Sequence, residues 1–267
     1  MTVLEPTDRP VATPPGLAPP EPAVRIAGVS KRFGAGAAGV IALDQISLDV
    51  ERGEFVCIVG ASGCGKSTLL NLIAGLDAPT VGSVEVQGRV ALMFQEAALL
   101  PWKTAAGNVE LALKLRGVPR RERREQALDL LHLVRLREFA DRRPHELSGG
   151  MRQRVALARS LGQGADVLLM DEPFGALDAI TRDVLHDEIE RVAAEQRLTV
   201  VFVTHNVREA ARLGDRIVLL TSRPGRVAGE FGVPVERPRR IESPEVSAIA
   251  AEVTARLREE VRRHADD

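Results

Sequence analysis

FVCIVGASGCGKSTLLNLIAGL, residues Phe55 to Leu76, decides the fold: an apolar run enters a glycine-rich loop and leaves as an apolar helix. Val56, Ile58 and Val59 have the texture of a buried parallel strand, and Leu69, Leu70, Leu72, Ile73 and Leu76 recur at helical spacing until Gly75 permits a stop. Between them Gly60, Gly63, Gly65, Lys66 and Ser67 complete the pattern G-x-x-x-x-G-K-[ST], whose reading requires a strand before it and a helix after it. Glycines let backbone N–H groups turn inward around a polyanion, and the helix start adds positive potential at the same place. Lys66 would then reach the outer phosphates of a nucleotide, and Ser67 would offer its hydroxyl to Mg2+. The loop residues Gly60, Ala61, Ser62, Gly63, Cys64, Gly65, Lys66, Ser67 and Thr68 are the candidate nucleotide cradle. A glycine turn with a solvated lysine is the bland alternative, and the flanking strand and helix argue against it.

Outward from this stretch, the composition of the 267-residue chain bounds the rest. With 45% hydrophobic and 27% charged residues and a net charge of -1, it has an ordinary globular balance that argues against a general nucleic-acid binder. One α/β domain with a smaller lobe fits the length. No stretch approaches the ~18 to 20 consecutive apolar residues of a membrane span, and the N-terminus lacks a signal-peptide pattern, so a cytosolic protein is expected. The two cysteines, Cys57 and Cys64, lie in the strand and in the loop, where no disulfide framework is indicated. Cys64 is either a small side chain that fits or a redox-sensing thiol.

Residues 1 to 23 are rich in proline and poor in large apolar side chains, the composition of a disordered tail. From Val24 the texture changes. VRIAGVSKRF and VIALDQISLDV read as two antiparallel strands, placing Phe33 either in the core or against a base. Beyond the first helix, Pro79, Thr80, Gly82 and Ser83 read as a turn, and VEV and VALMF as strands ending at Gln95. Leu99, Leu100, Pro101 and Trp102 form an apolar cluster in an expected loop, packed internally or offered to a partner. Helical patterns with basic turns fill the region from about Asn108 to Gln163, a helical lobe spanning roughly 103–163. In it Leu128, Leu131 and Leu133 stand among charges on a solvated helix, and Ser148 is placed to cap a helix whose apolar positions are Val155, Leu157, Ala158 and Leu161. The tail from Ser243 should be a helix packing on the body through Val246, Ile249, Val253, Leu257 and Val261.

Three more apolar strands follow the lobe. VLLM ends in Asp171 and Glu172, TVVFVTH ends in His205, and RIVLLTS leads through Arg223, Pro224 and Gly225 into RVAGEF. Strands alternating with helices indicate a largely parallel sheet, and ligands in such sheets collect at the carboxyl ends of the strands. Gly60, Gln95, Asp171, Glu172 and His205 all fall there. ATP hydrolysis needs a neutralised γ-phosphate, a bridging metal and an aimed water. Lys66 serves the first, with His205 placed to hydrogen-bond the γ-phosphate; Ser67, Asp171 and Gln95 serve the second, and Glu172 and Gln95 the third. The other histidines, His132, His145, His186 and His264, stand in charged surroundings and read as surface residues.

GASGCGKS, Gln95, LSGGM, VLLMDEP, the ALD of Ala176 to Asp178 and His205 occur in the order found in ATP-binding subunits of ATP-binding cassette transporters, which the chain resembles over about residues 24 to 230. The resemblance implies an α/β phosphate-loop cassette: a RecA-like parallel core, an antiparallel β subdomain and an α-helical subdomain, ending at about residue 242 before the C-terminal helix. It implies ATP and Mg2+, and a head-to-tail homodimer in which each nucleotide lies between the loop of one copy and Ser148, Gly149 and Gly150 of the other. Asp178 would link the two sites, and Phe33 would stack on adenine. Two departures stand out: Met151 replaces the glutamine that commonly ends the signature, and Phe33 replaces a frequent tyrosine.

QEAALLPWKTAAGNV, DEPFGALDAITRD and THNVREAARLGDRIVLLTSRPGRV resemble the importer group for nitrate, taurine and aliphatic sulfonates. The implied partners are two transmembrane permease subunits and an extracytoplasmic solute-binding protein. No nucleic acid is expected, and the chain would lie peripherally on the cytoplasmic face of the membrane. By the same resemblance, the Leu99–Trp102 cluster sits beside the groove for a coupling helix of the permease. Alternatives are an importer of a heterocyclic vitamin precursor, a soluble cassette ATPase of the DNA-repair or ribosome-associated kind, and a nucleotide-binding scaffold without turnover. A coiled-coil insertion or tandem cassette would favour the soluble ATPase, and loss of Glu172 or His205 the scaffold; neither is seen.

Overall fold

The computed structural model describes residues 21–34, 39–175 and 177–263. Most of the proline-rich tail, Ala176 and His264 therefore lie outside the described residues. Strands whose side chains are buried on both faces belong to parallel sheets, whereas one-sided alternation marks an antiparallel sheet with a wet face. Both kinds are present. β3 (Phe55–Gly60) and β7 (Thr199–Thr204) are buried at every position, and β6 (Val167–Asp171) and β8 (Arg216–Leu220) at all but one. With β5 (Val90–Met93) and β9 (Val227–Gly232) they form a six-stranded sheet in the order β5-β6-β7-β3-β8-β9, parallel except for the edge strand β9.

β1 (Val24–Phe33) instead alternates in burial along its first half and pairs antiparallel with β2 (Val40–Val50) and β4 (Val81–Val86) in a separate three-stranded sheet. β1 begins at Val24, and the residue before it is already tied to this sheet. Buried Ala23 donates its N–H to Val50 and accepts from Gln87, because the edge pairs would otherwise lose both groups. The turn expected at Gly82 and Ser83 also belongs to β4, with Gly82 at φ 85° against the carbonyls of Ala27 and Gly28, so the glycine serves a close strand crossing instead.

α1 (Lys66–Ile73) follows the loop, and its stripe of Leu69, Leu70, Leu72 and Ile73 is buried under the antiparallel sheet. Leu76 does not continue that stripe. It is 64% exposed, because the helix stops at Ile73 and Gly75 turns the chain away at φ 68°. α2 (Ala105–Leu115), α3 (Arg120–Leu133) and α4 (Gly149–Gly162) pack together. α2 begins earlier than the apolar pattern shows, since Thr104 caps it by accepting from the Gly107 N–H at 3.0 Å. α3 buries Ala127 and Leu131, with Val134 just beyond, while Leu128 is only partly covered. α5 (Ala179–Gln196), α6 (Val207–Leu213) and α7 (Pro244–Arg263) complete the chain. α7 rests on α6 through Val246, Ala250 and Val253, at about 1.5 to 3 kcal/mol for each large apolar side chain removed from water; Val261 stays exposed.

Candidate functional site

β3 delivers the chain into a loop that only glycine can build at two points. Gly63 and Gly65 have φ of 76° and 103°, and a Cβ on Gly65 would lie 2.7 Å from a Leu43 methyl carbon. The α1 start has no side-chain cap. Its first N–H groups are thus left to a ligand. Lys66, 6% exposed, curls over the loop and donates to the carbonyls of Gly60 and Ala61 at 2.9 and 3.0 Å. Phe33, Val40, Ser62, Lys66, Ser67, Thr68, Glu172 and Arg223 are among the residues around a cleft of about 430 Å3. Phe33 is at its rim and 47% exposed, which sets aside the reading of a core aromatic; the Lys31 ammonium covers one ring face at 5.0 Å.

The carboxyl ends of β6 and β7 face this loop. Burial raises the Asp171 carboxyl above the ordinary carboxylate value, opposed by a hydrogen bond from the Ser67 hydroxyl. Glu172 sits in the left-handed region at φ 43°, a strained conformation for a glutamate, costing on the order of 1 kcal/mol, and its N–H donates to Val203 at 2.9 Å. This pins Glu172 to β7 beside His205, whose Nδ1 lies 2.9 Å from Glu172 Oε2. An ionised Glu172 fixes the proton on Nδ1 and leaves Nε2 to face outward.

β5 ends at Met93, and Gln95, Gly149, Gln153 and Leu177 border a second cleft of about 400 Å3. The Gln95 side chain still points toward the first: a Cβ on Gly175 would lie 3.5 Å from its Nε2 and 4.0 Å from Glu172 Oε2. Gln153 donates to the Gln95 carbonyl at 2.6 Å, tying the start of that loop to α4. Ser148 caps α4 by accepting from the Met151 N–H at 3.3 Å, and neither it nor Gly149 or Gly150 borders the Lys66 cleft. A Cβ on Gly150 would fall 2.3 Å from the Thr181 methyl, so the signature glycine permits close packing on α5. Asp178 caps α5 by accepting from the Thr181 N–H and hydroxyl at 2.9 and 2.7 Å, and these bonds lower its carboxyl below the ordinary range. Asp178, Thr181 and Gly150 are therefore adjacent within one chain.

Two residues differ from what their sequence surroundings suggest, and a third has its alternatives decided. Arg223 enters the cleft and donates to the Gly63 carbonyl at 3.4 Å; its sequence signal is only an arginine before a proline after a strand. His186 is not a surface residue but fully buried: α5 faces inward there, and polar partners satisfy its ring in spite of the charged residues around it in sequence. Burial pushes the Cys64 thiol up despite Lys66, the reverse of what a reactive thiolate needs, so the small, close-fitting side chain is the reading that stands.

A loop that cradles phosphate, two carboxylates at a strand end and a histidine on the next strand define a nucleotide-hydrolysing site. A family model described as ABC transporter matches residues 43–175. The aliphatic sulfonates import ATP-binding protein SsuB 1 of Burkholderia lata is 48% identical over 249 residues, covering 91% of this chain and 74% of that protein. The taurine import ATP-binding protein TauB of Rhizobium johnstonii is 46% identical over 232 residues, covering 84% of this chain and 88% of that protein. The dimeric post-hydrolysis structure of the ATP-binding cassette MJ0796 bound to ADP and Pi matches with a TM-score of 0.70 and 35% identity, over 80% of this chain and all of that one. The chain belongs to the ABC transporter family, in which it is an ATP-binding and ATP-hydrolysing subunit.

Proposed function

We propose that this chain energises an importer of nitrate, taurine or aliphatic sulfonates, hydrolysing ATP between two copies of itself beneath two permease subunits fed by an extracytoplasmic solute-binding protein. The relatives named for sulfonate and taurine import support the cargo class, and the dimeric cassette supports the assembly. Peripheral association with the cytoplasmic membrane face fits a chain in which no described helix is long and apolar enough to cross a bilayer. The observation that carries hydrolysis is the Glu172–His205 pair, 2.9 Å apart, with Glu172 at the edge of the Lys66 cleft.

In this reading Lys66 exchanges its two carbonyl partners for phosphate oxygens, and Phe33 offers the ring face opposite Lys31 to adenine. Ser67 and Asp171 fit a divalent ion of the magnesium kind: both present hard oxygen donors, and they already share a hydrogen bond. Among the described residues no cluster of three acidic, histidine or cysteine side chains could hold a metal, in keeping with an ion bound mainly by phosphates and water. Mg2+ would supply charge neutralisation across the phosphates. Gln95, whose amide nitrogen flanks the Gly175 turn together with the Glu172 carboxylate, would complete this shell or hold the attacking water. Glu172 orients the attacking water and accepts its proton; the new P–O bond forms as the bond to ADP breaks. His205 holds the Glu172 carboxylate through Nδ1 and presents Nε2 to the γ-phosphate.

Ser148, Gly149 and Gly150 lie outside the Lys66 cleft of their own chain. A second copy bringing the α4 start over that cleft would complete the anion site, with Asp178 at the seam. Glu172→Gln tests the reading: turnover should fall by about 10² to 10⁴, while ATP drives a stable dimer seen by light scattering. Steady turnover in that variant would place the base elsewhere.

A further inference from the structure

Behind the Glu172–His205 pair lies a buried polar chain that the hydrolytic reading does not use. His186 of α5 is fully buried, and its Nε2 lies 2.6 Å from Oε1 of Glu209, itself 4% exposed on α6. Arg212 donates to His186 Nδ1 at 3.1 Å. A guanidinium can only donate, so Nδ1 accepts and the ring proton sits on Nε2, directed at Glu209. The other Glu209 oxygen accepts from the Thr204 hydroxyl, which in turn accepts from the Asn206 N–H at 3.0 Å. Asn206 caps α6 by accepting from the Arg208 and Glu209 N–H groups. The residue before His205 and the residue after it are thus both tied to Glu209.

His186 also reaches the segment that follows the other catalytic strand. The Phe174 ring, two residues beyond Glu172, meets the imidazole edge-on, with centroids 5.5 Å apart at 64°. One buried side chain therefore backs both segments whose tips meet at the 2.9 Å contact. A buried carboxylate with both oxygens bonded stays put, whereas one that loses a donor draws in water or swings away, carrying its neighbours along.

We propose that His186, acting through Glu209 and Thr204, is a positioning residue that sets His205 against Glu172 and so governs the rate of hydrolysis without touching nucleotide. The inference rests on the catalytic roles proposed for Glu172 and His205. Those are tested by the Glu172→Gln variant, so the two failures are distinguishable. Loss of turnover in Glu172→Gln with no effect at His186 would overturn only the positioning role.

The test compares His186→Gln with His186→Phe in the full-length protein. Glutamine can donate to Glu209 and accept from Arg212, whereas phenylalanine keeps the volume and the contact with Phe174 but leaves Oε1 of Glu209 without its donor while the Thr204 hydroxyl still serves the other oxygen. His186→Phe should lower kcat roughly tenfold, the scale set by small misplacements of catalytic groups, with the KM for ATP and the affinity for a fluorescent ATP analogue within about twofold of the parent. His186→Gln should restore kcat to within about twofold. The His205 ring resonances in a histidine-labelled sample should shift in His186→Phe and return in His186→Gln. If His186→Phe fails to fold, Thr204→Val, which exchanges the hydroxyl for a methyl and so breaks its bonds to Glu209 and the Asn206 N–H, replaces it with the same expected split. Unchanged kcat in the variant, a matching loss of nucleotide affinity, or no rescue by glutamine would each overturn the assignment.

Discussion

The starts of α1 and α4 are both helix ends entered through glycine and serine, and both carry the positive end of a helix dipole. At α1 the residue before the helix is Gly65, at φ 103°, and no side chain caps the exposed N–H groups. At α4 Ser148 is extended, its hydroxyl already accepts from Met151, and Gly150 is committed to close packing on Thr181. The first end lacks a partner that only an anion can supply; the second is largely settled within its own chain and has capacity left for a weaker contact. The comparison teaches that the loop should bind nucleotide in a single copy, whereas the signature should matter only when a second copy arrives.

The largest expected effect that would break this comparison lies at the loop. Lys66→Ala removes a buried cation beside the uncapped end, and its ATP affinity should fall on the order of 100-fold by titration calorimetry, about 3 kcal/mol. Unchanged affinity would mean that the loop N–H groups alone suffice. Next, Ser148→Ala should leave single-copy nucleotide binding intact while weakening ATP-driven dimerisation by roughly tenfold, with about 1 kcal/mol of stability lost with the cap. Equal loss of binding and dimerisation would erase the distinction between the two ends.

Trp102 sharpens the comparison from a third side, since it serves neither end. It is 69% exposed beside the α2 start, so Trp102→Ala should change the stability of the isolated chain by only ~0.5 kcal/mol and leave ATP binding unaltered. Co-purification with the permease subunits should drop; full recovery would remove the permease contact from this cluster.

The smallest effect concerns Asp171. Burial raises its carboxyl above the ordinary value of 3.8, so just above that pH the folded chain keeps a proton that the unfolded chain has released. Stability therefore declines as pH rises through this window and stays lowered at neutral pH. Without nucleotide, Asp171→Asn should melt higher than the parent at pH 7, the gap closing as pH falls below the window. A gap that persists in acid would assign the gain to something other than the buried charge.

Much of this was legible in the chain, for local reasons. Continuous apolar runs became the parallel strands, and the residues ending them, Asp171, Glu172 and His205, converge because parallel strands present their carboxyl ends on one edge. Gly82 reads as a turn but belongs to β4, because a glycine serving a close strand contact looks the same in sequence as one in a turn. His186 was misjudged more deeply: its charged neighbours spoke for solvent, and only Glu209 and Arg212, brought in from α6, make burial tolerable.

By itself the sequence determined the phosphate loop, the alternation of strands with helices and the order of the ATPase motifs, since each depends on residues adjacent in the chain. Tertiary structure decided that the Ser148 turn lies outside the Lys66 cleft, that Arg223 enters it, and that one buried histidine backs both catalytic segments. These depend on packing between elements far apart in the chain, where burial and hydrogen-bond partners are set by neighbours that no local pattern names.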